Sequence, residues 1–135
     1  MKKKVLFAIE SLAGGGAEKI LVTIVKNIDK TKFDITVLTV VKTGVYVEEV
    51  EKYCTLISML PEYEKLTNPI AKMKYKVDYK KIYKEDCAKI YKKYVKNEYD
   101  IEIAFVEGFV TKLVANSTNK YSKKYAWIHT DMIKN

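Results

Sequence analysis

Lys3-Lys4-Val5-Leu6-Phe7-Ala8-Ile9 reads as a short buried strand, its apolar run from Val5 to Ile9 soon meeting Gly14-Gly15-Gly16, after which the pattern changes period. Ala17, Ile20, Leu21, Ile24, Val25 and Ile28 recur at spacings of three and four, one face of a helix that stops near Asp29. The unit is strand, glycine turn, helix. Asp34 to Val41 follows, with Ile35, Val37, Leu38, Val40 and Val41. Its β-branched content suits a second strand covered on both faces. A strand that returns beside its predecessor through a helix gives a parallel pair.

The alternation continues outward. The spacing predicts a short helix over Tyr46 to Tyr53 and a third strand over Thr55 to Met59, ended by Pro61. Glu62 to Lys76 has no clear period and reads as an irregular connection. Tyr79, Ile82, Tyr83, Cys87, Ile90, Tyr91 and Tyr94 predict one amphipathic helix from Tyr79 to Val95 with a basic opposite face. Asp100 to Val106 reads as a fourth strand, Phe109 to Ala115 as a short helix and Lys124 to His129 as a fifth strand. The expected fold class is α/β: one Rossmann-like domain, residues 1–135, with a parallel sheet and helices on both faces. Ligands of such sheets bind beyond the carboxyl ends of the strands. Three groups follow predicted strands and are expected at that rim: Gly14-Gly15-Gly16, Glu107-Gly108, and His129-Thr130-Asp131.

The chain has 135 residues, 48% hydrophobic and 31% charged, which argues against disorder and for a core large enough to need no disulfide or metal staple. Apolar runs such as Ile35 to Val41 fall well short of the roughly 20 residues of a membrane-spanning helix. Met1-Lys2-Lys3-Lys4 leads straight into a strand, so neither a signal peptide nor an anchor is expected and the protein reads as cytoplasmic. Cys54 and Cys87 have no CxxC spacing and read as buried thiols.

All 25 basic residues are lysine, against 17 acids, for a net charge of +8. Without arginine's rigid fork, sequence-specific nucleic-acid recognition is disfavoured. Residues 65–96 hold 11 lysines and three acids, so the whole surplus lies in one segment. Such a patch attracts an anionic partner, among them phospholipid head groups. Its tyrosines are open to two readings, an aromatic and lysine surface for bases or a membrane interface, or packing on the sheet with solvated lysines. The second is preferred.

Gly14-Gly15-Gly16-Ala17-Glu18 places free amide hydrogens and the positive end of a helix together, which favours an anion; a plain tight turn is the alternative. Lys19 stands where GxGxxG needs its last glycine and no carboxylate ends the second strand, so a dinucleotide is disfavoured. No GxxxxGK[ST] phosphate loop is present. His129 is the only histidine, so an imidazole metal site is not expected, and it reads either as a proton-transfer or hydroxyl-binding group or as a structural histidine. Glu107 reads equally as an acceptor for sugar hydroxyls and as a helix-start charge.

Lys4-Val5-Leu6-Phe7 through Ser11-Leu12-Ala13-Gly14-Gly15-Gly16-Ala17-Glu18-Lys19, then Phe33-Asp34-Ile35-Thr36-Val37-Leu38-Thr39, resembles the opening of family 4 glycosyltransferases of the GT-B fold. Tyr99-Asp100-Ile101-Glu102-Ile103-Ala104-Phe105-Val106-Glu107-Gly108 with Thr111-Lys112-Leu113, and Ala126-Trp127-Ile128-His129-Thr130-Asp131, is similar to later parts of the same first domain. The basic middle segment matches nothing distinctive. The resemblance implies retaining transfer of a sugar from a nucleotide-sugar donor to a glycan or lipid-linked acceptor, of the cell-envelope or capsular polysaccharide type, without a metal or other cofactor. It implies that Gly15 and Gly16 approach the donor diphosphate or the acceptor, that His129 is the catalytic contact to the transferred sugar, and that Gly14, Glu18, Glu107, Gly108, Thr130 and Asp131 line the substrate groove. In that architecture a second, donor-binding domain faces the first, so these residues are expected to be the acceptor-side half and to transfer sugar poorly alone. Lys72, Lys74, Lys80, Lys81 and Lys84 become an expected contact with the inner face of an anionic membrane. A non-catalytic anion or nucleic-acid binding module on the same sheet is the competing expectation.

Overall fold

The computed structural model describes residues 2–13 and 15–127. Strands β1 (Lys3–Ile9), β2 (Phe33–Thr39), β3 (Thr55–Ser58), β4 (Ile101–Ala104) and β5 (Lys123–Ala126) form a five-stranded sheet in the order β3-β2-β1-β4-β5. Every neighbouring pair is parallel. The helices are α1 (Gly16–Asn27), α2 (Val47–Tyr53), α3 (Pro69–Lys84), α4 (Cys87–Tyr94) and α5 (Phe109–Ala115). The expected Rossmann-like α/β class is therefore what the chain adopts.

The continuous apolar runs have a direct cause. Val5, Phe7 and Ile9 of β1 pack with Ile35 and Val37 of β2 against Leu21, Val22 and Val25 of α1 and Val50 of α2. Leu6 and Ala8 point the other way, into a cluster with Leu38, Ile82 of α3, Ile90 and Tyr91 of α4, and Leu113 of α5. Alternate residues of one strand face opposite helical layers, so both sets must be apolar. The buried polar exceptions among the described residues are Thr36 and Thr39 of β2 and, carrying a carboxylate, Glu102 of β4. Glu102 is fully buried and accepts hydrogen bonds from the hydroxyls of Tyr91, Ser117 and Ser122, joining α4 to the segment between α5 and the edge strand β5.

The middle of the chain departs from expectation. Residues 62–76 are not an irregular connection: a single tight turn, Tyr63–Lys65, precedes α3, which starts at Pro69. Asn68 caps it, its side-chain oxygen accepting from the Ile70 amide at 2.8 Å, and proline fits the first helical position because no intrahelical partner is lost there. The expected single helix from Tyr79 to Val95 is two, broken at the extended residues Glu85 and Asp86. Strands β2, β3 and β4 end before their apolar runs do, since Val40, Met59 and Phe105 are buried beyond the last ladder pair, while the expected fifth strand extends past the described residues. Both cysteines are free and half-buried; partial burial pushes the Cys54 thiol up to about 11, with Lys30 opposing.

Candidate functional site

In the sheet order, β1 leads outward to β2 and β3 on one side, and the chain then crosses to β4 and β5 on the other. The loops after β1 and β4 thus diverge at a topological switch point, where an open α/β sheet forms its binding crevice. Ala8 pairs with Ala104 and the Phe105 amide donates to the Ala8 carbonyl at 2.8 Å, so the two strands leave the sheet side by side. The glycine turn and Glu107-Gly108 are accordingly brought to one rim. His129, Thr130 and Asp131, as well as Gly14, lie outside the described residues.

Gly15 is the N-cap residue of α1 and no side chain caps it. Glu18 folds back over this end: a Cβ on Gly15 would lie 2.9 Å from its Oε1. The acid thus occupies the region that a helix start offers to negative charge. Gly16 faces open space, with nothing within 4 Å of the position a Cβ would take. The turn is held from behind by Gly44, whose φ of +123° lets the backbone come against Leu12. Leu12 donates to the Thr43 carbonyl at 3.0 Å and accepts from the Tyr46 amide at 3.2 Å.

Gly108 is the second glycine the conformation requires, with φ +99°. Glu107 beside it is exposed. The carboxylate over Gly108 belongs instead to Glu10, the residue that follows β1: its Oε2 is 3.9 Å from where a Gly108 Cβ would sit. Its other oxygen, Oε1, accepts a 2.6 Å hydrogen bond from the Tyr83 hydroxyl of α3. Glu10 was not singled out by sequence, although an acid directly after an apolar central strand is a signal that could have found it.

The reading of the tyrosines as packed on the sheet holds for Tyr91 in the core and for Tyr75 and Tyr94, which pack against it, but not for every ring of α3. Tyr91 is buried, but Tyr79 and Tyr83 are 42% and 40% exposed. Tyr75, Tyr79 and Tyr83 stand four residues apart on one row of α3, and their rings follow one another at 6.5 and 5.2 Å. Tyr63 extends the row at one end and Phe109, next to Gly108, at the other. Two adjoining depressions lie along it. One of about 380 Å³ is lined by Glu10, Tyr79, Lys80, Tyr83 and Lys84. The other, about 440 Å³, is lined by Tyr63, Tyr75, Lys76, Tyr79 and Lys80.

Of the lysines expected at an anionic surface, Lys80 and Lys84 line this groove, Lys72 lies 6.0 Å from the Tyr63 ring centre and Lys74 pairs with Asp78 at 3.0 Å. Lys81 is exposed. Among the described residues no cluster of histidine, cysteine and acids suits a metal ion, and no helix is long and apolar enough to cross a membrane. No protein family, curated protein or solved structure matches the chain.

Proposed function

We propose that this domain is the acceptor-side wall of a retaining glycosyltransferase, using a nucleotide-sugar donor and a glycan or lipid-linked acceptor. What supports the reading is one juxtaposition: the open glycine turn after β1 and the Glu107-Gly108 loop after β4 share the switch-point rim, with the Glu10 carboxylate between the central strands. Carboxylate and backbone amides are the groups that take up sugar hydroxyls and phosphate oxygens. The chemistry proposed for the rim is binding and orientation: Gly16, open above, lets a ligand approach the backbone, Gly15 does so where the Glu18 carboxylate gives way, and Glu10 accepts hydroxyl hydrogen bonds. Leaving-group departure from the donor requires a facing donor-binding unit, and His129 is assigned to contact the transferred sugar on resemblance alone.

Nuclear magnetic resonance titration with a nucleotide-sugar panel and with oligosaccharides tests this. Weak binding that perturbs Gly15, Gly16 and Gly108 is expected, reduced by about tenfold in Gly16→Ala and in His129→Ala at unchanged melting temperature. A methyl at Gly16 meets no atom, so a loss there reports on ligand approach. The reading falls if neither ligand class binds and oligonucleotides do, with affinity dropping steeply as salt rises.

The outward side of α3 supports peripheral contact with an anionic membrane. Ile70, Met73 and Val77 are 78%, 69% and 47% exposed and lie three and four residues apart, on one face bordered by Lys74, Lys80, Lys81 and Lys84. Apolar anchors flanked by lysine match the head-group boundary. Vesicles rich in anionic lipid are expected to co-sediment the protein at low salt, and Met73→Glu to abolish this. Binding indifferent to both salt and Met73→Glu would remove the membrane from the proposal.

A further inference from the structure

The groove along α3 runs directly into the switch-point rim and shares Lys80 and Lys84 with the border of the outward apolar stripe. We infer that it is a binding track for an acidic oligosaccharide, which deepens the glycosyltransferase reading by naming the acceptor class. Three observations carry it. First, Tyr79 and Tyr83 present half-exposed rings in file with Tyr75, which packs partly against the core, and the row ends at Phe109 beside Gly108. Aromatic faces are electron-rich and receive the C–H patches of pyranose rings. Residues four apart on a helix repeat about every 6 Å, so successive rings are spaced to meet successive sugars of an extended chain.

Second, the lining cations are Lys76, Lys80 and Lys84, themselves spaced at four along the tyrosine row, and none is in an ion pair among the described residues. A neutral glycan leaves this row of charge without a counterpart, whereas a uronic acid or another acid substituent along the chain supplies one. Third, the sign of charge reverses at the rim end, where Glu10 is the acceptor and already takes the Tyr83 hydroxyl proton as a hydrogen bond. A carboxylate there repels a phosphodiester backbone or a lipid phosphate but welcomes a hydroxyl. A ligand with acid groups along its length and a free hydroxyl at the leading end satisfies both halves of the groove.

The experiment measures binding of the intact chain to a uronic-acid oligosaccharide series, to the same series after carboxyl reduction, to anionic vesicles and to a single-stranded oligonucleotide. The acidic series is expected to bind with affinity rising with length, and the reduced series about tenfold more weakly. Tyr79→Ala and Lys80→Ala are each expected to weaken the acidic series about tenfold while Tyr79→Phe retains it, with melting curves confirming that each variant is folded. Equal affinity for acidic and reduced series, still dependent on Tyr79, overturns the acidic class but leaves the glycosyltransferase reading standing. Tyr79-dependent capture by vesicles or by the oligonucleotide instead of sugars assigns the groove to that ligand. Failure of every sugar, with nucleotide-sugars also failing to reach the glycine turn, removes both readings together.

Discussion

Helices α1 and α3 flank the same sheet on opposite faces and differ in what holds them. The 12-residue α1 buries Leu21, Val22 and Val25 against β1 and β2, so its position follows from apolar area removed from water. The 16-residue α3 buries only Ile82. It is fixed by its Asn68 cap, by ring contacts along the tyrosine row and by Tyr83 reaching Glu10. A helix longer than its burial requires, with apolar side chains turned outward, has a surface shaped by something other than the core.

The contrast breaks most readily at its strong end. Leu21→Ala is expected to cost about 2–5 kcal/mol, since the side chain is fully enclosed and the cavity has rigid walls on the sheet side. Met73→Ala, on the exposed face of α3, should stay within about 0.5 kcal/mol of the parent. Urea unfolding of both variants checks the pair. A comparable loss in the two would mean that the outward stripe of α3 is covered in the folded molecule.

The same contrast decides what was legible in the sequence. Where burial dictates structure, as in β1, α1 and α5, periodicity found the elements closely, because the core imposes its spacing on the residues. In α3 the periodicity belongs to tyrosines and lysines that are not core, and the pattern misplaced both the start of the helix and its end. The local signal was present in Asn68-Pro69, a cap followed by a first-turn proline, but it is a feature of two residues that a search for apolar period passes over. The glycine turn and Gly108 were legible as loop ends after strands. Glu10 and Gly44 were not, since their roles depend on contacts with residues 73 and 32 positions away, Tyr83 and Leu12.

A smaller effect sharpens the account of how α3 is held. Tyr83→Phe keeps the ring in its row and removes only the bond to Glu10, with an expected loss of about 0.5–1.5 kcal/mol at neutral pH. Burial, and then that hydrogen bond, hold the Tyr83 phenol well above the usual tyrosine range. A raised pKa in the folded state means the contribution is complete below the unfolded value of about 10 and drains as pH rises further. The parent should therefore lose stability on alkaline titration more steeply than Tyr83→Phe, and parallel curves would show that the bond does not anchor the helix.

The smallest effect lies under the opposite end of the sheet's helical layer. Tyr99 is 6% exposed, and among the described residues its hydroxyl has no hydrogen-bond partner, while Tyr91 nearby donates to the buried Glu102. An unpaired buried hydroxyl loses its water without replacement, so Tyr99→Phe should leave stability unchanged or raise it by up to about 1 kcal/mol. Tyr91→Phe, which strips a donor from the buried Glu102 carboxylate, should move stability the other way. Opposite signs for two neighbouring tyrosine-to-phenylalanine changes, read from urea midpoints at constant slope, would show that in this layer hydrogen-bond satisfaction, and not ring burial, separates one tyrosine from the next.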